Sequence, residues 1–261
     1  MSSVAAERAS ERTGLVDWLR GTRVVFAREL GATFDSAIAY VFLIAGLLLV
    51  TSLFMNEFFL TGRLDMTPFF DLLPPIFVFL LPAMTMRLWA EEQKTRTFEM
   101  LATLPLTPLQ TTSGKYFAAL VLYGIFLLGT LPIVLMLTIL GEPDLGLIFS
   151  GYLGALFLGA MFLAFGTFVS ALSSDQIVAF VLSTLIAFFF VFIGHEKVVS
   201  VLDGLAPALS LGSRAADSIG ALPRYEAFVR GLVELSGVVY FVGNVVLFLW
   251  LSAYCVQKNR T

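Results

Sequence analysis

Residues 90–108 read AEEQKTRTFEMLATLPLTP, and a long apolar run stands on either side of them. Five charged side chains fall within nine positions, Glu91, Glu92, Lys94, Arg96 and Glu99, in a chain that is only 13% charged overall. Charge concentrated between two apolar runs marks a segment kept in water while its neighbours are not. Read as a helix, the stretch pairs Glu92 with Arg96 at i, i+4 and Glu91 with Lys94 at i, i+3. Phe98, Met100, Leu101 and Leu104 are left to face lipid or a neighbouring helix. Leu104-Pro105 and Thr107-Pro108 then end it, because the residue before a proline avoids the helical region. The plainer alternative is a solvated connector holding the two runs apart. That role needs few residues, whereas this stretch carries both signs of charge, an apolar face and a proline-ended break.

Working outward, the apolar runs define the class. Of 261 residues 58% are hydrophobic, 26 are Phe, and the mean hydropathy is +0.90, a profile foreign to soluble domains. A bilayer core of roughly 30 Å takes about 20 apolar helical residues to cross. Six such runs are present, which predicts an all-α integral membrane protein with spans at 36–56, 69–89, 116–141, 145–171, 176–194 and 235–257. The second contains Pro74, Pro75 and Pro82 and is expected to be kinked. The charged stretch becomes a connector, 90–115, between the second and third spans.

Basic residues set the expected orientation. With the N-terminus inside, eleven of the sixteen Lys and Arg fall on the cytoplasmic side, and five (Arg63, Lys197, Arg214, Arg224 and Arg230) fall on the other. Both termini and the 90–115 connector are thus expected in the cytoplasm. The first 35 residues carry five arginines and no apolar core with a small-residue cleavage site, so no cleavable signal peptide is expected there. Residues 15–33 mix apolar groups with Arg20, Arg23, Arg28 and Glu29, which suits a helix lying on the inner surface. The long outer segment 195–234 alternates apolar clusters with charges, and short helices at the outer interface are expected in it.

Chemistry is scarce. Glu91-Glu92-x-x-x-Arg96 resembles the glutamate motif of intramembrane CAAX-type proteases, but a general base there needs histidine partners. The single histidine, His195, is expected on the opposite side. Gly114-Lys115 resembles the end of a phosphate loop, yet Leu109 and Tyr116 stand where Gly and Ser or Thr are required. Acids and bases are missing from the centres of the spans, which argues against a proton relay. One cysteine, Cys255, excludes an internal disulfide and a thiolate-cluster metal site. The fourth span carries small residues, Gly151, Gly154, Ala155, Gly159, Ala160, Ala164 and Gly166, at spacings that permit close helix contact either within the bundle or between two copies.

The order of motifs resembles the ABC-2 type permeases, whose pattern after the second span is roughly E-E-x-x-x-G-T-x-E-x-L-L-x-x-P-[LVI]-[ST] followed by G-K-[YF]-x-[AG]. Here stand Glu91, Glu92, Thr97, Glu99, Leu101, Pro105, Leu106 and Thr107, then Gly114, Lys115, Tyr116 and Ala118. Arg96 replaces the usual Gly, and Ala102 the frequent second Leu. Phe26–Leu30 with Phe34–Tyr40 looks like that family's N-terminal elbow helix and the start of its first span, and Ser170–Phe180 resembles the turn before its fifth. Phe228–Glu234, Tyr240-Phe241 and Leu247–Leu249 look most like the subgroup holding the gliding-motility permease.

The resemblance implies a permease half of an ATP-binding cassette exporter in a bacterial inner membrane. A separate ATPase, present in two copies, would bind the ATP and magnesium. This chain would hold no cofactor, catalyse nothing and pair with a second permease half, identical or related. No nucleic-acid partner is expected. Glu91, Glu92, Arg96, Thr97 and Glu99 would contact the ATPase, beside the elbow residues Arg23, Arg28 and Glu29. A scaffold or force-transmitting subunit that moves nothing is the alternative.

Overall fold

The computed structural model describes residues 2–95, 97, 105–205 and 211–258. Among them every regular element is a helix. In chain order these are α1 (Ser2–Asp35), α2 (Ala37–Thr61), α3 (Thr67–Thr85), α4 (Arg87–Lys94), α5 (Pro108–Gly129) and α6 (Leu131–Leu140). They are followed by α7 (Leu145–Leu172), α8 (Gln176–Phe192), α9 (Glu196–Leu205), α10 (Leu211–Ile219), α11 (Leu222–Val229) and α12 (Leu235–Lys258).

Among the described residues five stretches are long and apolar enough to cross a membrane: α2, α3 with α4, α5 with α6, α7, and α12. The bent pair of α8 and α9, whose axes differ by 74°, makes a sixth if it is counted as one span. Two boundaries differ from the sequence expectation. The third span starts at Pro108 and not at 116, because Thr107 caps it: its hydroxyl accepts the Gln110 N–H while Gln110 Oε1 accepts the Thr107 N–H, at 3.3 and 2.7 Å. Thr107-Pro-Leu-Gln110 is a capping box with proline at the first helical position. The expected surface helix 15–33 likewise extends over the whole of α1.

Helix α7 forms the centre. Its apolar window is 72% buried, against 22% for α2 and 17% for α12, so the last two lie outside it. The small residues of α7 answer to partners within the bundle. A Cβ on Gly151 would strike the Phe70 ring, one on Gly154 would meet Phe228, one on Gly159 would lie 2.2 Å from Tyr123 Cζ, and one on Gly166 would meet Thr85. Aromatic rings from α3, α5 and α11 therefore fill notches along one helix, the close approach that small residues allow in lipid. Phe77 stacks edge-on against Tyr123 at 5.4 Å, and the Tyr123 hydroxyl donates to the Ala155 carbonyl at 2.6 Å.

Proline sets the path of α3. Pro74 has no N–H for the Phe70 carbonyl one turn earlier, and the buried Tyr225 hydroxyl on α11 donates to that oxygen at 2.7 Å. Each buried backbone oxygen needs such a partner, so a proline inside the continuous helix α3 also fastens a helix of the 195–234 segment to the bundle. At the opposite end of α3 the Ser170 hydroxyl of α7 stands between Met86 O, to which it donates at 3.0 Å, and the N–H groups of Trp89 and Ala90, from which it accepts at 3.0 and 3.1 Å. A hydroxyl set into the i, i+4 ladder is a recognised cause of a helix break, and α3 gives way to α4 there.

The glycine notches lead to a measurable contrast. Gly159→Ala drives a methyl into Tyr123 and is expected to cost on the order of 1–3 kcal/mol. Gly124→Ala, with nothing within 4 Å of the new atom, is expected to be neutral or to gain up to about 1 kcal/mol from helix propensity. Thermal unfolding in one detergent distinguishes the two; equal melting temperatures would refute the notch.

Candidate functional site

The chemistry of this chain gathers where α1, α4 and the start of α5 meet. Lys115, expected in a cytoplasmic connector, lies in α5 and is only 1% exposed. Its ammonium is 2.9 Å from Glu92 Oε1 of α4 and 3.1 Å from Glu29 Oε1 of α1, with the Trp89 ring centroid at 5.0 Å. Arg28 Nη2 donates to the same two oxygens, at 2.7 Å to Glu29 and 3.0 Å to Glu92. Two cations and two carboxylates thus form a closed ring across three helices. A buried ammonium survives only when paired and hydrogen-bonded, so the position of α1 against α4 follows from Lys115.

Local features aim each member. Gly114 lets α1 approach closely: a Cβ there would lie 2.7 Å from Val25 Cβ and 3.0 Å from the Thr22 carbonyl. Gln110, already part of the cap, donates from Nε2 to the carbonyls of Asp17 and Trp18 at 3.3 Å each, tying the start of α5 to α1. Helix α4 is held by Ser170 at its first turn and by Gln93, whose Nε2 donates to the Ala171 carbonyl at 2.8 Å near its end. Its face carrying Trp89 and Ala90 is buried. The T-x-x-Q signature of the cap was readable in the sequence, whereas no local signal announces Ser170 as the cap of a distant helix.

Electrostatics agree with the geometry. Burial by itself would raise the Glu29 carboxyl, but the Lys115 ammonium and the Arg28 guanidinium outweigh it and hold it below the ordinary carboxylate range. The hydrogen bond to Glu29, with Glu92 nearby, raises Arg28 in turn.

One expected ion pair within the 90–108 stretch is redrawn. Glu91 does not pair with Lys94; Arg87, one turn earlier, grips it with Nε and Nη2 at 2.8 and 3.1 Å. A two-point guanidinium contact outcompetes a single ammonium. Glu92 turns inward to Lys115 and Arg28. Arg96 and Glu99 lie outside the described residues. Thr97 is exposed, its hydroxyl 2.9 Å from that of Thr95, and Arg23 is exposed on α1. His195 lies beyond the far end of α8 from Ala171, about 25 Å of helix away at 1.5 Å per residue, so the two glutamates have no histidine beside them. No group of three or more potential metal ligands occurs among the described residues.

A bundle of apolar helices of spanning length, with an ion-paired cluster where α1, α4 and α5 meet, has the build of a multi-pass membrane protein. Residues 65–210, more than half of the chain, match the model of a family described as ABC-2 family transporter protein, and the chain belongs to that family. No curated protein matches the chain closely enough to count as a relative. Membership makes it an ABC permease, a non-catalytic transmembrane subunit, and implies an ATPase of the ATP-binding cassette class as partner.

Two outcomes are expected of the ring. Lys115→Met leaves two largely buried carboxylates sharing the Arg28 guanidinium alone and should cost on the order of 1–3 kcal/mol. Combined with Glu92→Gln the loss should be smaller than the sum, by the logic of a double-mutant cycle, measured as thermal unfolding in detergent. The second concerns pH. Because the folded carboxyl of Glu29 sits below its ordinary value near 4.5, its stabilisation is complete above that value and disappears as pH falls through the lower one. The stability difference between the native chain and Glu29→Gln should therefore be flat from neutral pH down to about 5 and shrink only below it.

Proposed function

We propose that this chain is the permease half of an exporter, and that α1, α4 and the first turns of α5 form the element through which a separate ATPase drives it. The observation that carries this reading is the ring of Lys115, Glu92, Glu29 and Arg28, which makes one mechanical unit of three segments from the polar end of the bundle. A push on the 90–108 segment would reach α1 and α5 together, because moving α4 alone would take from a buried ammonium one of its two carboxylates and from Arg28 one of its own. Supporting residues divide by exposure. Glu91 and Thr97 offer their polar groups to a docked partner, whereas Glu92 is engaged inside and serves as a positioning residue. Arg96 and Glu99 are proposed for the docking face on the family pattern alone.

In this reading α1 is the elbow helix at the inner surface, α9, α10 and α11 lie at the outer interface, and both termini are cytoplasmic in a bacterial inner membrane. Two ATPase subunits, each binding ATP and magnesium, serve two permease halves. The motif order near the end of the chain supports the gliding-motility subgroup. Ion pairs at a wet interface set orientation more than affinity, so single changes should uncouple before they detach. The scaffold alternative has no observation in its favour.

The test uses the tagged chain purified from its native membranes with whatever ATPase it retains. Glu91→Lys should lower the retained ATPase about tenfold, a loss typical of one charge-assisted contact, with melting of the bundle unchanged. Glu92→Gln should keep the ATPase bound yet abolish its stimulation by the permease. Full retention and full stimulation in both variants would overturn the proposed coupling element.

A further inference from the structure

A cleft of about 570 Å3 opens beside the ring, between the α1–α2 junction and the α3–α4 junction. Its lining is layered. Arg28, Glu29, Arg87, Glu91, Glu92 and Lys115 supply its charges and Thr33, Ser36, Thr95 and Thr97 its hydroxyls, while Ile38, Ala39, Phe42, Ala83, Met84 and Leu88 belong to its apolar wall. Apart from Leu88 of α4, the apolar layer comes from the first turns of α2 and the last turns of α3, where both spans leave the polar end, so the cleft runs from the charged layer into the membrane-spanning layer. Ile38 is 45% exposed on its wall, which leaves that side open towards lipid. An aqueous solute has no use for the apolar layer, and a hydrocarbon has none for the charges. Only an amphiphile matches both.

The charges narrow the headgroup. The lining holds three cations and three carboxylates, so an anionic head would meet Glu29, Glu91 and Glu92, and a cationic one Arg28 and Arg87; a head bearing both signs is repelled by neither. Two members keep unused capacity. Arg28 is half exposed and makes its contacts to Glu29 and Glu92 through Nη2 alone, leaving Nε and Nη1 for an outside acceptor. The Glu91 side chain is 43% exposed, and each of its oxygens takes a single N–H from Arg87, leaving lone pairs for an outside donor.

We propose that the cleft binds one phospholipid of the adjoining leaflet through a phosphate–primary ammonium headgroup, the phosphate on Arg28, the ammonium on Glu91 and an acyl chain along Ile38, Phe42 and Met84. A quaternary ammonium fills the same space but donates no hydrogen bond to Glu91. A glycerol headgroup brings the phosphate but no cation. The volume suits a headgroup and the upper part of a chain, the remainder staying in the bilayer. This goes beyond the coupling role and does not depend on it, since it concerns the chain by itself.

The experiment is native mass spectrometry of the chain alone in detergent, titrated with phosphatidylethanolamine, phosphatidylcholine and phosphatidylglycerol of identical acyl chains. Phosphatidylethanolamine should be retained about tenfold better than phosphatidylcholine, the value of one hydrogen bond to a charged group. Glu91→Gln should reduce it to the phosphatidylcholine level. Arg28→Gln should weaken both phosphatidylethanolamine and phosphatidylglycerol. Ala83→Trp, which fills the apolar layer and leaves every charge in place, should expel all three lipids, and Arg230→Gln, distant from the cleft, should change nothing. Each variant is compared at unchanged melting temperature, and Glu91, at the surface, supplies the change that spares the fold. Equal retention of the ethanolamine and choline lipids, a preference that survives Glu91→Gln, or full displacement by soluble phosphoethanolamine at equal concentration would overturn the proposal.

Discussion

An ammonium with 1% of its side chain exposed, at the end of a membrane bundle, must be paired, and the rest of the polar end is arranged to satisfy it. Lys115 sits in the second turn of α5, so its partners must come from elsewhere in the chain. Glu92 and Glu29 supply the two carboxylates, Arg28 balances them, and Trp89 offers its ring face. Each partner fixes one helix: Glu92 fixes the rotation of α4, and Glu29 with Arg28 fixes that of α1. Gly114 next to Lys115 is the steric side of the same requirement, for α1 could not come within reach if a methyl group stood there. Hydrogen bonds from Gln110 to the Asp17 and Trp18 carbonyls hold α1 a turn further along, so the contact is stitched at two levels.

The bundle was largely legible in the sequence because lipid imposes a simple rule, that apolar runs of sufficient length become helices with their hydrogen bonds closed internally. Runs at 36–56, 145–171 and 235–257 correspond to α2, α7 and α12, and the prolines of the second run lie inside α3. The fifth run gave less, a 17-residue helix that reaches spanning length only with the bent α9, since composition alone does not tell a straight span from a broken one. The pairing of Glu91 was misread for a different reason, while that of Glu92 with Arg96 falls on a residue outside those described. Sequence spacing reveals partners one turn apart, and it offered Glu91 to Lys94 and Glu92 to Arg96; the stronger claim on Glu92 comes from Lys115, 23 residues away, and from Arg28, 64 residues away. Glu91 was within local reach of two bases, and the bidentate fork of Arg87 decided between them. The small residues of α7 were visible as a stripe, but only the rings of Phe70, Tyr123 and Phe228 lying against them show which surface they serve.

Helix α3 connects these observations, because its backbone is incomplete at both ends. Pro74 leaves the Phe70 carbonyl without its helical donor, and the Tyr225 hydroxyl fills the gap; at Met86 the ladder opens around the Ser170 hydroxyl. In water such gaps would be filled by solvent at little cost. Within an apolar bundle they must be filled by protein, since an unpaired peptide group there costs several kcal/mol, and so they dictate which helix lies next to which. The Pro74 half of α3 is thereby bound to α11 and its Met86 end to α7, with α4 following directly on. A displacement of α4 then has two outcomes only. Either α3, α7 and α11 move with it as one body, or the Ser170 bridge opens and two amide hydrogens and a carbonyl lose their partner together. The second is costly enough that the rigid path is the favoured one, which places the yielding parts of the bundle elsewhere: at the 74° bend between α8 and α9, at the Thr130 break before Pro132 between α5 and α6, and along α2, whose buried residues are confined to one face.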